Sequence, residues 1–107
     1  MKIDLRSAMR LAVLSIGVSG MALADGDPIA GKEAAKEWCA GCHDVEPGGQ
    51  MKQDPPAFTA IANYRSPDYI HANITFPHER MPDVAQILGL NVDNLVAYIV
   101  SLEEPCY

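Results

Sequence analysis

No uncharged apolar run in the chain is long enough to cross a bilayer. Leu11 to Ala24, LAVLSIGVSGMALA, is fourteen residues without a charge, whereas a spanning helix needs roughly 20. Lys2, Arg6 and Arg10 precede it and Ala22-Leu23-Ala24 closes it. A basic start, a short apolar middle and a small-residue end are the three parts of a secretory signal. Residues 1–24 are therefore expected to be a cleaved signal peptide. Residues 25–107 are then the mature protein, exported to the periplasm with no stable membrane insertion after cleavage.

Positive charge is scarce. The whole chain has 8 basic and 14 acidic side chains, a formal charge of −6. The signal takes three of the former and one of the latter, so the mature chain has five against thirteen. That balance argues against nucleic acid and anionic membrane surfaces as partners. Strand patterns, internal repeats, low-complexity tracts and a second domain are also missing. So are a catalytic triad, a paired-carboxylate site and a phosphate loop, and an enzyme is not expected. About 83 residues make one small domain, a size at which a thin apolar core usually needs a disulfide, a metal or a cofactor.

Cysteine is the third shortage. There are three, Cys39, Cys42 and Cys106, an odd number for an oxidising compartment. Two stand in EWCAGCHDV, residues 37–45, with His43 directly after the second. Zinc takes four ligands, usually from a second pair at similar spacing, and no second C-x-x-C exists here. A thioredoxin-like dithiol needs a βαβ frame, but GKEAAKEWCAGC is made of helix formers. Covalent haem attachment fits both the triplet and its setting. Cys39 and Cys42, one turn apart, would form thioethers to the haem vinyl groups, and His43 would place its imidazole under the iron.

A sixth iron ligand can be sought among the methionines and histidines. Met1, Met9 and Met21 leave with the signal, so Met51 and Met81 remain, with His71 and His78 as the other candidates. Met51 lies close to Cys42 in the Gly- and Pro-rich stretch EPGGQMKQDPP, too near to cross comfortably to the opposite haem face. Met81 stands in FPHERMPD, where Pro77 and Pro82 stiffen an extended loop and the following proline restricts the Met81 backbone. Met81 is the favoured ligand and His78 its main rival.

Capping signals outline the helices. Asp27-Pro28 starts one that runs to the cysteines, and PAFTAIANY reads as a short helix. Ser66-Pro67-Asp68 starts PDYIHANITF, which Pro77 ends. The Met81 loop is expected to continue to about Asn91, where Asn91-Val92-Asp93 caps DNLVAYIVSLEE. Leu95, Tyr98, Ile99 and Leu102 make its core-facing stripe at i, i+3, i+4 and i+7. The domain reads as all-α, folded round something.

The mature chain resembles the class I cytochromes c, specifically the small monohaem bacterial type. The resemblance rests on Gly31-x-x-x-Ala35-x-x-x-Cys39-Ala40-x-Cys42-His43, Pro55-Pro56-Ala57-Phe58, His78-x-x-Met81-Pro82 and Leu95-Val96-Ala97-Tyr98-Ile99. It implies the small cytochrome c fold, three to five helices wrapped round one haem c held by Cys39 and Cys42, with His43 and Met81 on the iron. It also implies that the Pro56 carbonyl accepts the imidazole Nδ1–H, and that Gly31 allows a close crossing against Tyr98. The tail, residues 103–107, departs from the family pattern. Its Cys106 has no internal partner, which leaves an exposed tail thiol or a disulfide to a partner chain or second copy.

With both axial positions filled by protein, the iron has no place for a substrate. The expected function is a soluble periplasmic one-electron carrier. Its partners would be a donor dehydrogenase or reductase complex and an acceptor oxidase or reductase. The alternatives are an electron-accepting subunit of a periplasmic dehydrogenase and, from another class, a haem sensor or enzyme with an open iron site. The acidic balance points to a partner with a basic docking face.

Overall fold

Asp27 and Pro28 start the first helix as their chemistry dictates. The Asp27 carboxylate accepts the Ile29 N–H at 2.9 Å, and the proline occupies the first turn, where its missing N–H costs nothing. A computed structural model describes residues 26–49 and 53–104. The expected signal peptide, Met51 and Cys106 lie outside these residues. Five helices follow in order: α1 (Pro28–Trp38), α2 (Phe58–Tyr64), α3 (Pro67–Thr75), α4 (Val84–Ile87) and α5 (Val92–Ser101). The described residues contain no strand, only an isolated bridge between Gln53 and Pro56, so the all-α expectation holds.

The same capping chemistry recurs. Ser66 Oγ accepts the Tyr69 N–H at 3.2 Å ahead of Pro67, and Asn91 Oδ1 accepts the Asn94 N–H at 3.2 Å. Two boundaries differ from the sequence reading. The Met81 loop is not irregular up to Asn91, because Asp83 caps a single turn, α4, through the Gln86 N–H at 3.3 Å. Four residues are too few to show a helical period. The last helix stops at Ser101, with Leu102 as its C-cap, rather than running through the two glutamates.

α1 and α5 cross at backbone distance. A Cβ placed on Gly31 would lie 1.9 Å from the Asn94 carbonyl oxygen and 2.9 Å from Tyr98 Cβ. No side chain fits there, so the sequence supplies none. The Asp27 N–H donates to Asn94 Oδ1 at 2.8 Å and pins the same crossing. Below it, Ala35, Val45, Phe58, Ala62, Ile70, Leu95, Tyr98 and Ile99 form the buried core. The Tyr98 hydroxyl donates to the Val45 carbonyl at 2.5 Å, tying α5 to the loop after His43. Burial first, then the nearby Glu46 carboxylate, push the Tyr98 hydroxyl above its ordinary pKa, so it stays a donor.

Because the Gly31 contact is with backbone, it cannot be relieved by a rotamer change. Gly31→Ala is expected to destabilise the protein by about 1–3 kcal/mol through overpacking. Chemical denaturation would show a lower midpoint with an unchanged slope.

Candidate functional site

α1 ends where the cysteines begin. Cys39 is its C-cap, donating to the Ala35 carbonyl at 2.8 Å, and the Cys42 and His43 N–H groups return to the Cys39 carbonyl at 3.2 and 2.9 Å. This tight turn puts Cys39, Cys42 and His43 on the wall of one cavity of about 370 Å³. Cys39 is half-buried and Cys42 exposed, and burial pushes the Cys39 thiol above its ordinary pKa. The two are not joined in a disulfide.

The His43 ring is held by a residue thirteen positions away. Its Nδ1 lies 2.7 Å from the Pro56 carbonyl oxygen. A carbonyl can only accept, so Nδ1 carries a proton, and in the neutral tautomer the lone pair lies on Nε2. Phe58 packs against the imidazole at 5.3 Å between centroids, tilted by 50°, and lies 6.4 Å from the Tyr98 ring. The Phe58 N–H donates to the Asp44 carbonyl at 2.8 Å, closing the loop between the histidine and α2. A histidine that gives its Nδ1–H to a carbonyl has Nε2 as the nitrogen it can offer to a metal ion.

Met81 lines the same cavity from the loop between α3 and α4. Its N–H donates to the His78 carbonyl at 3.0 Å, a turn bracketed by Pro77 and Pro82. His78 also reaches the cavity, but its Nδ1 lies 3.3 Å from the Arg80 N–H, as an acceptor in that turn. His71 does not reach it. It faces Asp93 at 3.4 Å on the other side of α3. Among the described residues there is no group of three or more His, Cys, Asp or Glu side chains placed to hold a metal ion together, as a zinc site would need.

The remaining wall divides by chemistry. Ile61, Ile70, Ile74, Leu90, Leu95 and Ile99, with Val84 and Ala85 of α4, make it apolar. Trp38, Asp54, Arg65, Tyr69, Asn73 and Arg80 supply its polar part. The Arg65 guanidinium lies 4.8 Å from the Tyr69 ring centroid, and Arg80 Nη2 lies 2.8 Å from Asp54 Oδ2. Sequence reasoning missed these polar residues. A signal was available for two of them, since Arg65 and Arg80 are two of only five basic residues after the expected signal. An apolar slot with a cysteine pair, an available imidazole nitrogen, a thioether and two guanidinium groups fits a planar, dicarboxylic, iron-bearing ring.

Comparison with known proteins shows a family. Residues 26–99 match the family model described as cytochrome c oxidase, cbb3-type, subunit III. The chain is 33% identical over 95 residues to cytochrome c-552 of Bradyrhizobium diazoefficiens, covering 84% of this chain and 88% of that protein. No solved structure matches.

With one turn presenting both cysteines, each should carry one thioether. Cys39→Ala and Cys42→Ala should each leave haem singly linked or lost, and the double variant should release all of it. Acid-acetone extraction checks this, and haem that resists extraction from the double variant would overturn the attachment.

Proposed function

Because the chain belongs to the small c-type cytochromes, electron carriers with one covalently bound haem c, we propose that it is a periplasmic one-electron carrier with His43 and Met81 as axial ligands. The observation that carries this reading is the His43–Pro56 hydrogen bond at 2.7 Å, which occupies Nδ1 and leaves Nε2 as the ring nitrogen available to a metal on the cavity that also receives Met81. Haem c supplies a Fe(III)/Fe(II) couple. Pro56 holds the imidazole proton at Nδ1 and raises the donor strength of Nε2. The Met81 thioether stabilises the ferrous state more than imidazole does. The apolar wall keeps water from the iron and favours its less charged state. Arg65 and Arg80 supply the counter-charge that the carboxylates of the ring need.

With His43 and Met81 both on the iron, no position would be left for a substrate, which supports a carrier over an enzyme. Among the described residues no helix is long and apolar enough to cross a membrane. The basic, apolar and small-residue succession in residues 1–24 supports export. A second reading has support too. The matching family model is described for an oxidase subunit, so the domain could serve docked to one enzyme. Size exclusion of a native periplasmic extract separates the two, since a free carrier elutes alone.

Met81→His is expected to keep the iron six-coordinate while lowering the potential substantially, and Met51→Leu to leave potential and spectrum unchanged. Redox titration with the thioether-to-iron band at the red end of the visible spectrum decides it. Loss of that band in Met51→Leu would transfer the ligand assignment to Met51.

Charge supports a partner with a basic docking face. Lys32 is already 3.4 Å from Glu46, Arg80 is paired with Asp54 and Arg65 covers a tyrosine ring. Few cations are therefore left to offset the surface acids. Steering of this kind fades as the Debye length falls from about 10 Å at 0.1 M salt to about 3 Å at 1 M. The electron-transfer rate with a basic partner should fall steeply over that range. A flat or rising rate would instead mean docking through the apolar rim of the cavity.

A further inference from the structure

The two loops that carry the proposed axial ligands meet at one short turn. Residues 53–56 are closed by the Gln53–Pro56 bridge. At one end of this turn the Pro56 carbonyl accepts the His43 Nδ1–H. Two residues earlier, Asp54 Oδ2 accepts from Arg80 Nη2 at 2.8 Å, across 26 positions of sequence. Arg80 immediately precedes Met81, and Asp54 and Arg80 both stand on the cavity wall. Among the described residues the other hydrogen bonds around Met81 are local. Met81 N–H donates to the His78 carbonyl, Arg80 N–H to His78 Nδ1, and Val84 N–H to the Pro82 carbonyl. These shape the loop without fixing where it sits relative to the histidine side of the cavity.

We propose that Asp54 is a positioning residue for Met81. Through Arg80 it ties the methionine loop to the turn that orients His43, so that one segment sets both axial directions. The proposal deepens the reading of Met81 as an iron ligand and rests on it. The bland account is a surface ion pair with no consequence, and the exposure of the partners, 76% and 69%, limits what the pair can do for global folding. Its leverage is local. Opening the loop exchanges the thioether for an outside ligand without unfolding the helices, so a small bias acts on that exchange directly. An exposed pair shifts an equilibrium by about fivefold at most.

The test titrates the ferric holoprotein with imidazole, which competes with Met81 for the iron, and follows loss of the thioether band. Circular dichroism of each variant confirms that the helices are intact. Asp54→Ala and Arg80→Leu should each bind imidazole about two- to fivefold more tightly than the parent. The double variant should bind no more tightly than either single one. In a Met81→Ala background, where no thioether competes, Asp54→Ala should leave imidazole affinity unchanged. A parent that shows the band, with both single variants binding imidazole as the parent does, overturns the tether alone. So does a gain that persists in the Met81→Ala background, because Asp54 would then act through charge in the cavity. A parent without the band brings down the ligand reading and the tether with it.

Discussion

The inner faces of three helices pack into one core and also border a cavity. Phe58 and Ile61 of α2, Ile70 and Ile74 of α3, and Leu95 and Ile99 of α5 all border it. In a domain this small those side chains are a large part of the apolar surface available for burial. Phe58, Ile70, Leu95 and Ile99 are buried in the core, and an apolar occupant of the cavity would complete the packing on their cavity side. All five helices contribute to the cavity wall, and capped helix starts with a close α1–α5 crossing hold the frame round it. The Gly31 contact and the four side-chain caps are therefore complements of the cofactor, which couples binding to folding.

The Cys-x-x-Cys-His turn fixes which atoms face the cavity, but not the state in which His43 presents itself. That is set from outside the motif. Pro56 determines the tautomer, Phe58 holds the ring plane, and the Phe58–Asp44 hydrogen bond keeps both beside the histidine. A histidine on an isolated turn would sample rotamers and both tautomers. Here contacts from a neighbouring segment restrict that freedom, which would lower the ordering cost of coordination.

Much of this was legible in the sequence because it is written in local chemistry. Asp27-Pro28, Ser66-Pro67 and Asn91 each announce a helix start through a side chain that accepts a nearby N–H, and each does so in the structure. The cysteine–histidine triplet and Met81 are also recognisable by type and spacing, and the fold brings them to one cavity. α4 was not legible, since one turn held by Asp83 leaves no period to detect. The polar part of the wall was hidden for a different reason. Asp54 and Arg80 sit 26 residues apart, in loops whose closeness depends on the whole helix packing. Arg65 and Tyr69 are near in sequence, but nothing in their spacing says that they face inward.

The arrangement of charge follows from how few cations the chain has. Carboxylates belonging to a bound ring need positive partners close by, in a partly apolar setting where water screens poorly. Two of the five basic side chains left after the expected signal, Arg65 and Arg80, are on the cavity wall. Of the thirteen acids, Asp54 alone among the described residues lines it, and it is paired with Arg80. Most of the remaining acids lie on exposed surface, where salt screens them from the iron beyond about 8–10 Å. One distribution thus meets two demands. Arg65 and Arg80 would act at short range on a bound ring, Arg80 only in part because Asp54 pairs with it, while the outer acids would act at longer range on whatever approaches.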